Sequence, residues 1–254
     1  MQRKSGKPKA VMAWSGGKDS AFCLYKVRQL ELFDVVYLLT TLSEQHRRIS
    51  MHGIREELLD RQAESIGLPL LKVWVSEGTN AEYERQMAAT LAKVRSEGVR
   101  HIIFGDIFLE DLRAYREQNL ARVGMEAVFP LWKSDTGQLI REFVDCGFRT
   151  IVCCTNDAFL GNEWLGREID GAFIHDLPSM VDPCGENGEY HTFCYKGSVF
   201  REPVGFIRGE KVFRPLDLKP APGDTPEDQP VTQGFWFYDL ELPKQNGKDI
   251  EREP

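Results

Sequence analysis

Short apolar runs alternate with longer amphipathic segments along most of the chain. Five aliphatic runs have the length and continuous apolar character of buried parallel strands; they span residues 10–14, 34–42, 70–75, 101–107 and 127–131. Four segments between them carry apolar residues at helical spacing, at residues 21–30, 54–66, 81–97 and 111–122. This order predicts an α/β fold in which helices cover both faces of a parallel sheet.

The pattern changes beyond residue 135. A predicted helix at 138–146 and a strand at 150–155 extend the rhythm, but residues 182–218 contain short strand-like stretches with tight turns. One of them, at 205–213, predicts a hairpin that turns at an Arg-Gly-Glu tripeptide. We therefore expect a smaller region packed on the first.

These changes divide the chain into five predicted stretches. They are an α/β domain at 9–133, a smaller C-terminal region at 134–218, a linker at 219–234, a strand at 235–242 and a tail at 243–254. The linker is rich in proline and poor in apolar residues. The last strand is so aromatic that we expect it to pack against the folded part, whereas the polar tail is expected to be disordered.

Composition restricts the class of protein. The 254 residues include 39 acidic and 32 basic side chains, for a net charge of −7, so no overall positive field attracts nucleic acid. No apolar run approaches the roughly 20 residues that span a bilayer, and no signal peptide follows the basic N-terminus. The six cysteines form no Cys-x-x-Cys pair, which indicates reduced thiols. We therefore predict a cytoplasmic protein that binds neither membranes nor nucleic acid.

Residues 15–20, Ser-Gly-Gly-Lys-Asp-Ser, carry the strongest chemical signal. They connect the first strand to the first helix, at the sheet edge where open α/β folds bind ligands. The glycines let backbone amides approach an anion, the helix N-terminus adds its positive dipole end, and Lys18 adds a charge for phosphate. Asp19 would repel a bare phosphate, so we expect a metal ion beside it. The spacing fits neither a Walker A loop nor GxGxxG; a serine-capped glycine turn is the alternative.

Residues 182–193 form a second distinctive segment. Glu186 and Glu189 lie in a glycine-rich turn, and His191 and Thr192 follow on the strand that leaves it. Carboxylates in a turn can bind Mg²⁺, accept a proton from an attacking amine or orient ammonia. The alternative is a solvated hairpin turn. Cys184, just before the turn, is left open as a buried or a reactive thiol.

Single polar residues near the same sheet edge add weaker signals. Asp106, at the end of the fourth strand, is a candidate contact for a substrate amine or metal, with a helix cap as the alternative. Thr40 ends the second strand, where related folds bind adenosine. His52 follows a polar loop at 43–50 that could close over a nucleotide, and it is interpreted in preference as an ordinary surface histidine. Arg113 and Trp132 are left open between a substrate contact and an ordinary solvated or core position.

Residues 15–20 resemble the PP-loop of the ATP pyrophosphatase family, SGGxDS, at every position. Residues 185–192 resemble the GEGGE(Y/F)-x-T signature of its diphthine–ammonia ligase (ATP-binding domain 4) subfamily, with Asn187 where many relatives have glycine. Gly-x-Glu and Pro-Leu-Trp within residues 124–132 also resemble the subfamily. The resemblance covers about residues 9–217, and the two main motifs together are much more specific than either alone.

The resemblance implies a fold and a reaction. The fold would be of the adenine nucleotide alpha hydrolase type (HUP, Rossmann-like), with a smaller α+β C-terminal region. In the subfamily, ATP adenylates the carboxylate of diphthine on elongation factor 2, pyrophosphate leaves, and ammonium displaces AMP to give the amide. The implied cofactors are ATP and Mg²⁺. The implied partners are ammonium and a carboxylate on a protein side chain or a small molecule, and a homodimer is one oligomeric state left open.

The resemblance also assigns residues to roles. The implied nucleotide-binding residues are Ser15, Gly16, Gly17, Lys18, Asp19, Ser20 and Thr40. The implied catalytic residues are Lys18, Asp19, Glu186 and Glu189, with Asp19 as the metal ligand. The implied substrate-binding residues are Asp106, Gly185, Gly188, His191 and Thr192.

Three features resemble the bacterial branch of the subfamily: Cys184, Met-His-Gly at 51–53 and the run at 105–113. Bacterial hosts are expected to lack diphthamide, so the same chemistry would act on another acceptor. Two other functions stay open. A PP-loop enzyme that modifies tRNA is disfavoured by the net acidity and the missing Cys-x-x-Cys. A non-catalytic sensor would use the loop only to bind an adenine nucleotide.

Overall fold

The computed structural model describes residues 6–49, 51–75, 80–216 and 232–243. The strands are β1 (Lys9–Ala13), β2 (Asp34–Ser43), β3 (Leu70–Val75), β4 (His101–Ile103), β5 (Glu126–Val128), β6 (Arg149–Asn156), β7 (Tyr190–Lys196), β8 (Ile207–Pro215) and β9 (Gly234–Glu241). The helices are α1 (Lys18–Gln29), α2 (Glu56–Ile66), α3 (Asn80–Ser96), α4 (Glu110–Arg122), α5 (Thr136–Asp145) and α6 (Gly171–Asp176), with a 3₁₀ turn at Asn162–Trp164. The predicted linker at 219–234 and tail at 243–254 lie almost wholly outside the described residues.

Five strands form a parallel sheet in the order β3-β2-β1-β4-β5. The chain moves from β1 outward to β3 and then returns to the other side of β1 for β4. This reversal leaves a crevice at the carboxyl ends of β1 and β4, which is where open α/β sheets bind ligands. The predicted α/β fold with a Rossmann-like parallel sheet is confirmed.

Helices cover both faces of this sheet because side chains alternate along each strand. Val11 and Ile102 pack with Leu91 of α3 and Leu120 of α4. Met12, the next residue of β1, lies in the opposite layer with the apolar side chains of α1 and α2. Both faces of β1 are therefore covered, in agreement with its continuously apolar sequence.

The last four strands form a separate antiparallel sheet in the order β7-β6-β9-β8. The alternation of strand-like and helix-like segments continues through β6, but this strand pairs with β7 and β9 and does not join the parallel sheet. A fully buried apolar run has the same pattern in either kind of sheet, so periodicity alone does not distinguish them. The aromatic β9 is an inner strand of the second sheet.

The prediction of a hairpin at 205–213 is wrong. β8 runs through this segment as one strand and pairs with β9, with an irregularity in register between Arg208 and Lys211. A Cβ at Gly209 would lie 3.2 Å from Asp239 of β9. The glycine therefore marks a close approach of two backbones and not a turn.

The helix ends follow local rules. Helix α1 begins at Lys18, and not at residue 21 as the apolar pattern predicts. The segment at residues 15–20, which we name the glycine loop, leads directly into its first turn. Helix α2 ends at Gly67, whose φ of 77° gives the left-handed stop expected there. None of the helices in the described ranges is long and apolar enough to cross a lipid bilayer.

Candidate active site

The loop between β1 and α1 turns tightly over the carboxyl end of the sheet. Gly16 has a φ of 76°, and a Cβ at this position would lie 2.8 Å from Gln62 Oε1. Gly17 is the N-cap of α1 and makes no side-chain cap. A Cβ at Gly17 would lie 3.0 Å from the Thr192 carbonyl oxygen. Glycine is therefore required at both positions.

Lys18 holds a buried positive charge beside this loop. Its Nζ donates to both carboxylate oxygens of Asp19 at 2.8 Å, and also to the Cys184 carbonyl oxygen. Burial is the largest single influence and acts to lower the pKa of Lys18, but the charge of Asp19, the hydrogen bond to it and other nearby groups together outweigh burial, and the pKa lies above its usual value. The side chain is therefore cationic at neutral pH.

Groups from two other elements hold the loop. The Lys18 backbone N–H donates to Thr192 Oγ1 at 3.0 Å, and the Cys194 N–H donates to the Gly16 carbonyl at 2.9 Å. Gln62 Nε2 donates to the same Gly16 carbonyl at 2.9 Å. The conformation of the loop thus depends on β7 of the second sheet and on α2.

Glu186 is held against the segment that follows β4. Its Oε1 accepts hydrogen bonds from the Ile107 N–H at 2.6 Å and the Phe108 N–H at 3.3 Å. Burial raises the pKa of Glu186 to about 7; the Ile107 N–H acts in the opposite direction, and the charge of Asp19 adds to the rise. The carboxyl group can therefore exchange a proton near neutral pH, as a general base must.

Glu189 has different surroundings. It is 1% exposed, and its Oε1 accepts from the Asp182 N–H at 2.9 Å and from Asn187 Nδ2 at 3.0 Å. Among the described residues, its Oε2 has no hydrogen-bond partner. The side chain lies inside the turn that carries Glu186, where it orders the backbone.

His52 and His191 form a stacked pair with ring centroids 4.5 Å apart. His52 Nδ1 lies 3.3 Å from the Thr192 carbonyl oxygen. Burial lowers the pKa of His52 to about 4 and lowers the pKa of His191 well below its usual value, and the charge of Lys18 acts in the same direction. Both rings are therefore neutral at pH 7. The interpretation of His52 as a surface histidine is wrong, because the loop after β2 folds back over the glycine loop.

One cavity of about 550 Å³ brings the two distinctive segments together. That volume is sufficient for a nucleotide. The predicted site residues in its wall are Ser15, Asp19, Ser20, Thr40, Asp106, Gly185, Glu186 and His191. The predicted residues that are not in its wall are Gly16, Gly17, Lys18, Gly188, Glu189 and Thr192, which belong to the segments behind it.

A second cavity of about 290 Å³ adjoins the first and is lined mostly by apolar side chains. The two cavities share Leu39, Thr41 and Phe104, and the second is closed by side chains of α3 and α4. Thr40, in the wall of the first, is 3% exposed, and its Oγ1 has no partner within the described ranges. The carboxylates and hydroxyls of the first cavity suit the phosphates of a nucleotide, and the apolar side chains of the second suit its base.

Asp106 is paired with Arg116 of α4, a residue that sequence reasoning misses. Arg116 Nε donates to Asp106 Oδ2 at 2.6 Å and Nη2 donates to Oδ1 at 3.2 Å. The guanidinium carbon lies 4.3 Å from the ring centroid of Phe104. Asp106 therefore positions Arg116 in the cavity wall. Arg113 lies over the ring of Trp132, at 4.7 Å, and neither lines this cavity.

The thiol of Cys184 is buried and protonated. Its Sγ donates to the Thr136 carbonyl oxygen at 3.4 Å, and burial raises its pKa. All six cysteines are free thiols. The site therefore has no activated thiolate.

The donor set of the cavity fits Mg²⁺. In the part of the chain that the structure describes, no three His, Cys, Asp or Glu side chains lie together as a metal cage. The carboxylates of Asp19 and Glu186 both line the cavity. Mg²⁺ usually takes one or two carboxylates and completes its ligands with water and substrate phosphates, so Asp19 alone is adequate.

The sequence matches two family models. Residues 8–127 match the diphthamide synthase N-terminal domain, and residues 135–215 match the diphthamide synthase C-terminal domain. The first contains the glycine loop and the second contains the Glu186 turn.

Two curated proteins, both named diphthine–ammonia ligase, are similar to the chain. The protein from Danio rerio is 26% identical over 249 residues, which cover 78% of this chain and 93% of that protein. The protein from Schizosaccharomyces pombe is 24% identical over 246 residues, which cover 86% of this chain and 40% of that protein.

Proposed function

Since the chain belongs to the diphthamide synthase family, we propose that it is an ATP-dependent ligase that joins ammonia to a carboxylate and releases AMP and pyrophosphate. Both curated relatives carry the name of such a reaction. One observation carries the proposal: the 15–20 loop and the Glu186 turn, which are far apart in sequence, line one cavity.

The triphosphate binds at the glycine loop. The N-terminus of α1 supplies its positive dipole end and the N–H groups beyond those of Gly17 and Lys18, which already donate to Ser15 Oγ and Thr192 Oγ1. Ser15 and Ser20 add hydroxyl groups in the cavity wall. Lys18 supplies the fixed positive charge, which stabilises the negative charge that develops on departing pyrophosphate.

Adenosine binds toward α3 and α4. Thr40 Oγ1 offers a hydrogen bond to the nucleoside, and the apolar cavity beyond Leu39 and Phe104 accepts the flat base. This orientation directs the α-phosphate toward the centre of the main cavity.

Two steps account for the products. First, an oxygen of the acceptor carboxylate attacks the α-phosphorus, and the bond from that phosphorus to the pyrophosphate oxygen breaks. Next, the nitrogen of ammonia attacks the acyl carbon, and the bond to the AMP oxygen breaks. The nitrogen loses a proton in the second step. Glu186, with a pKa of about 7, is the side chain that accepts it.

Arg116 and Glu189 act differently. Arg116 presents a guanidinium group in the cavity wall, which suits the acceptor carboxylate or the α-phosphate. Glu189 acts through the turn backbone and not by contact with substrate. When Mg²⁺ is bound, Asp19 would hold it, and the ion would neutralise phosphate charge, which leaves Glu186 free to accept the proton.

The fate of ATP tests this proposal. The purified protein is incubated with Mg²⁺, ammonium, labelled ATP and a cell metabolite extract, and the nucleotides are separated. AMP and pyrophosphate that depend on both extract and ammonium are the expected products. ADP and phosphate would contradict adenylation, and ATP binding without turnover with any fraction would favour a nucleotide sensor.

The same assay identifies the acceptor class. Fractionating the extract by size separates a small acid from a protein side chain, because only one fraction will support AMP formation. Tight, salt-sensitive binding of tRNA would favour a tRNA-modifying enzyme instead.

A further inference from the structure

The loop that follows β2 forms one side of the cavity. We name the described residues 44–49 and 51–55 the β2–α2 loop. Its residues Ile49, Met51 and His52 line the cavity. His52 also touches the glycine loop, since a Cβ at Gly17 would lie 3.0 Å from its ring. The position of this loop therefore determines the shape of the cavity next to the phosphate-binding residues.

β9 binds the same loop by an ion-pair cluster. Arg55 donates to Asp239 twice, from Nε to Oδ1 at 3.0 Å and from Nη2 to Oδ2 at 2.6 Å. Arg48 Nη1 donates to Asp239 Oδ1 at 2.6 Å and to the Gly53 carbonyl at 3.0 Å. Arg55 also donates to Glu241 at 2.6 Å. One carboxylate thus connects both ends of the segment that presents His52.

Packing reinforces this connection. Gly53 has a φ of 68°, and a Cβ there would lie 2.7 Å from Cδ1 of Phe237 on β9. Burial acts to raise the pKa of Asp239, but the hydrogen bonds from Arg55 and Arg48 outweigh it and lower the pKa to about 2. The carboxylate is therefore ionised at neutral pH.

We propose that Asp239 is a positioning residue for ATP, which acts by fixing the β2–α2 loop and holding His52 against the glycine loop. β9 lies beyond the residues that match either family model, which end at residue 215. The C-terminal strand would thus control the affinity of a nucleotide site whose phosphate-binding loop follows β1 of the other sheet. This inference rests on the proposed function in one respect, that ATP occupies the main cavity.

Asp239→Asn tests the proposal, because it removes the charge while keeping the shape of the side chain. Two quantities are measured on the full chain: the ATP dissociation constant, and amide hydrogen exchange of the peptide that contains residues 51–55. We expect the dissociation constant to rise roughly two- to thirtyfold, with faster exchange in that peptide. In turnover, KM for ATP should rise more than kcat falls.

The matched control is Asp176→Asn. Asp176 pairs with Arg167 at 2.7 Å in the C-terminal region, away from the β2–α2 loop. We expect ATP affinity and exchange at 51–55 to stay at wild-type values. Asp239→Glu, which restores the charge, should recover most of the affinity.

Several outcomes would overturn the proposal. These are wild-type ATP affinity in Asp239→Asn, unchanged exchange at 51–55, or an equal loss of affinity in Asp176→Asn. Should Asp239→Asn fail to fold, as judged by near-ultraviolet circular dichroism, Glu241→Gln removes only one ion pair and must shift affinity in the same direction by a smaller factor. A wild-type chain that binds no ATP contradicts the proposed function, whereas the exchange measurement tests the loop connection independently of ATP.

Discussion

Lys18 and Asp19, neighbours in the chain, form an ion pair in which Nζ lies 2.8 Å from both carboxylate oxygens. Adjacent residues of a helix do not normally face each other. The lysine side chain must therefore fold back over the first turn of α1. The cation and the carboxylate that the resemblance assigns to phosphate and metal are thus already paired with each other. Binding of Mg²⁺ and ATP must exchange this pair for new partners.

Lys18→Met is expected to weaken ATP binding by roughly ten- to a hundredfold, because a charge-assisted contact is lost. Methionine keeps much of the side-chain volume, so the fold should be retained. Isothermal titration calorimetry with Mg²⁺ and ATP measures the change. Lys26→Met is the matched control, since Lys26 lies about two turns further along α1 and pairs with Glu142 of α5. Equal effects of the two substitutions would contradict a specific role for Lys18.

Gly17→Val is expected to abolish ATP binding. Its Cβ would lie 3.0 Å from the Thr192 carbonyl oxygen and from the His52 ring, so the loop would have to move. The control is Gly171→Val, because a Cβ at Gly171 meets no atom within 4 Å. Equilibrium dialysis with labelled ATP compares the two. Wild-type affinity in Gly17→Val would remove the glycine loop from the nucleotide site.

The rate of amide formation is expected to fall below a pH of about 7. Glu186 acts as a base only when it is deprotonated, and burial raises its pKa to about 7, so each pH unit below that value lowers the rate about tenfold. The profile is recorded at a constant concentration of free ammonia, so that the protonation of ammonia itself does not contribute.

Two variants separate the carboxylates. In Glu186→Gln, the rate should no longer fall below pH 7 (the acid limb of the pH profile), and kcat should be lower by about a hundred- to ten-thousandfold. Glu189→Gln should keep the limb, because Glu189 lies inside the turn. If the rate of Glu186→Gln still falls below pH 7, another group must accept the proton that the ammonia nitrogen loses.

Arg116→Met is expected to weaken substrate binding by about tenfold or more, since it leaves the Asp106 carboxylate unpaired in the cavity wall. Asp106→Asn added to Arg116→Met should recover part of this loss, because the uncompensated charge is gone. A double-mutant cycle on KM for ATP and for the acceptor measures the coupling. Additive losses would show that the two residues act independently.

The parallel sheet and both active-site segments could be predicted from sequence because each depends on local pattern. Buried strands are continuously apolar, and a glycine loop that precedes a helix has a recognisable order of residues. The partners of Glu186 could not be predicted, since they are the backbone amides of Ile107 and Phe108, which any residue would supply. The pairing of Arg116 with Asp106 also has no periodic signal.

The second sheet was harder to predict for the same reason. The glycine in β8 has the neighbours of a turn, and only its contact with Asp239 of the distant β9 explains it. Local sequence rules misplace His52 because its polar loop packs against β9, which is far along the chain. The ion pairs of Arg48 and Arg55 with Asp239 span 191 and 184 residues.

The hydrogen bonds from Thr192 and Cys194 to the glycine loop have an evolutionary consequence. A gene fragment that encoded only the first sheet would produce a loop whose Lys18 amide had lost its hydroxyl acceptor and whose Gly16 carbonyl had lost its strand amide. Recombination that exchanged the second sheet would have to bring a hydroxyl and an amide in the same register. The two halves of this chain are therefore expected to descend as one unit and not to be shuffled as independent modules.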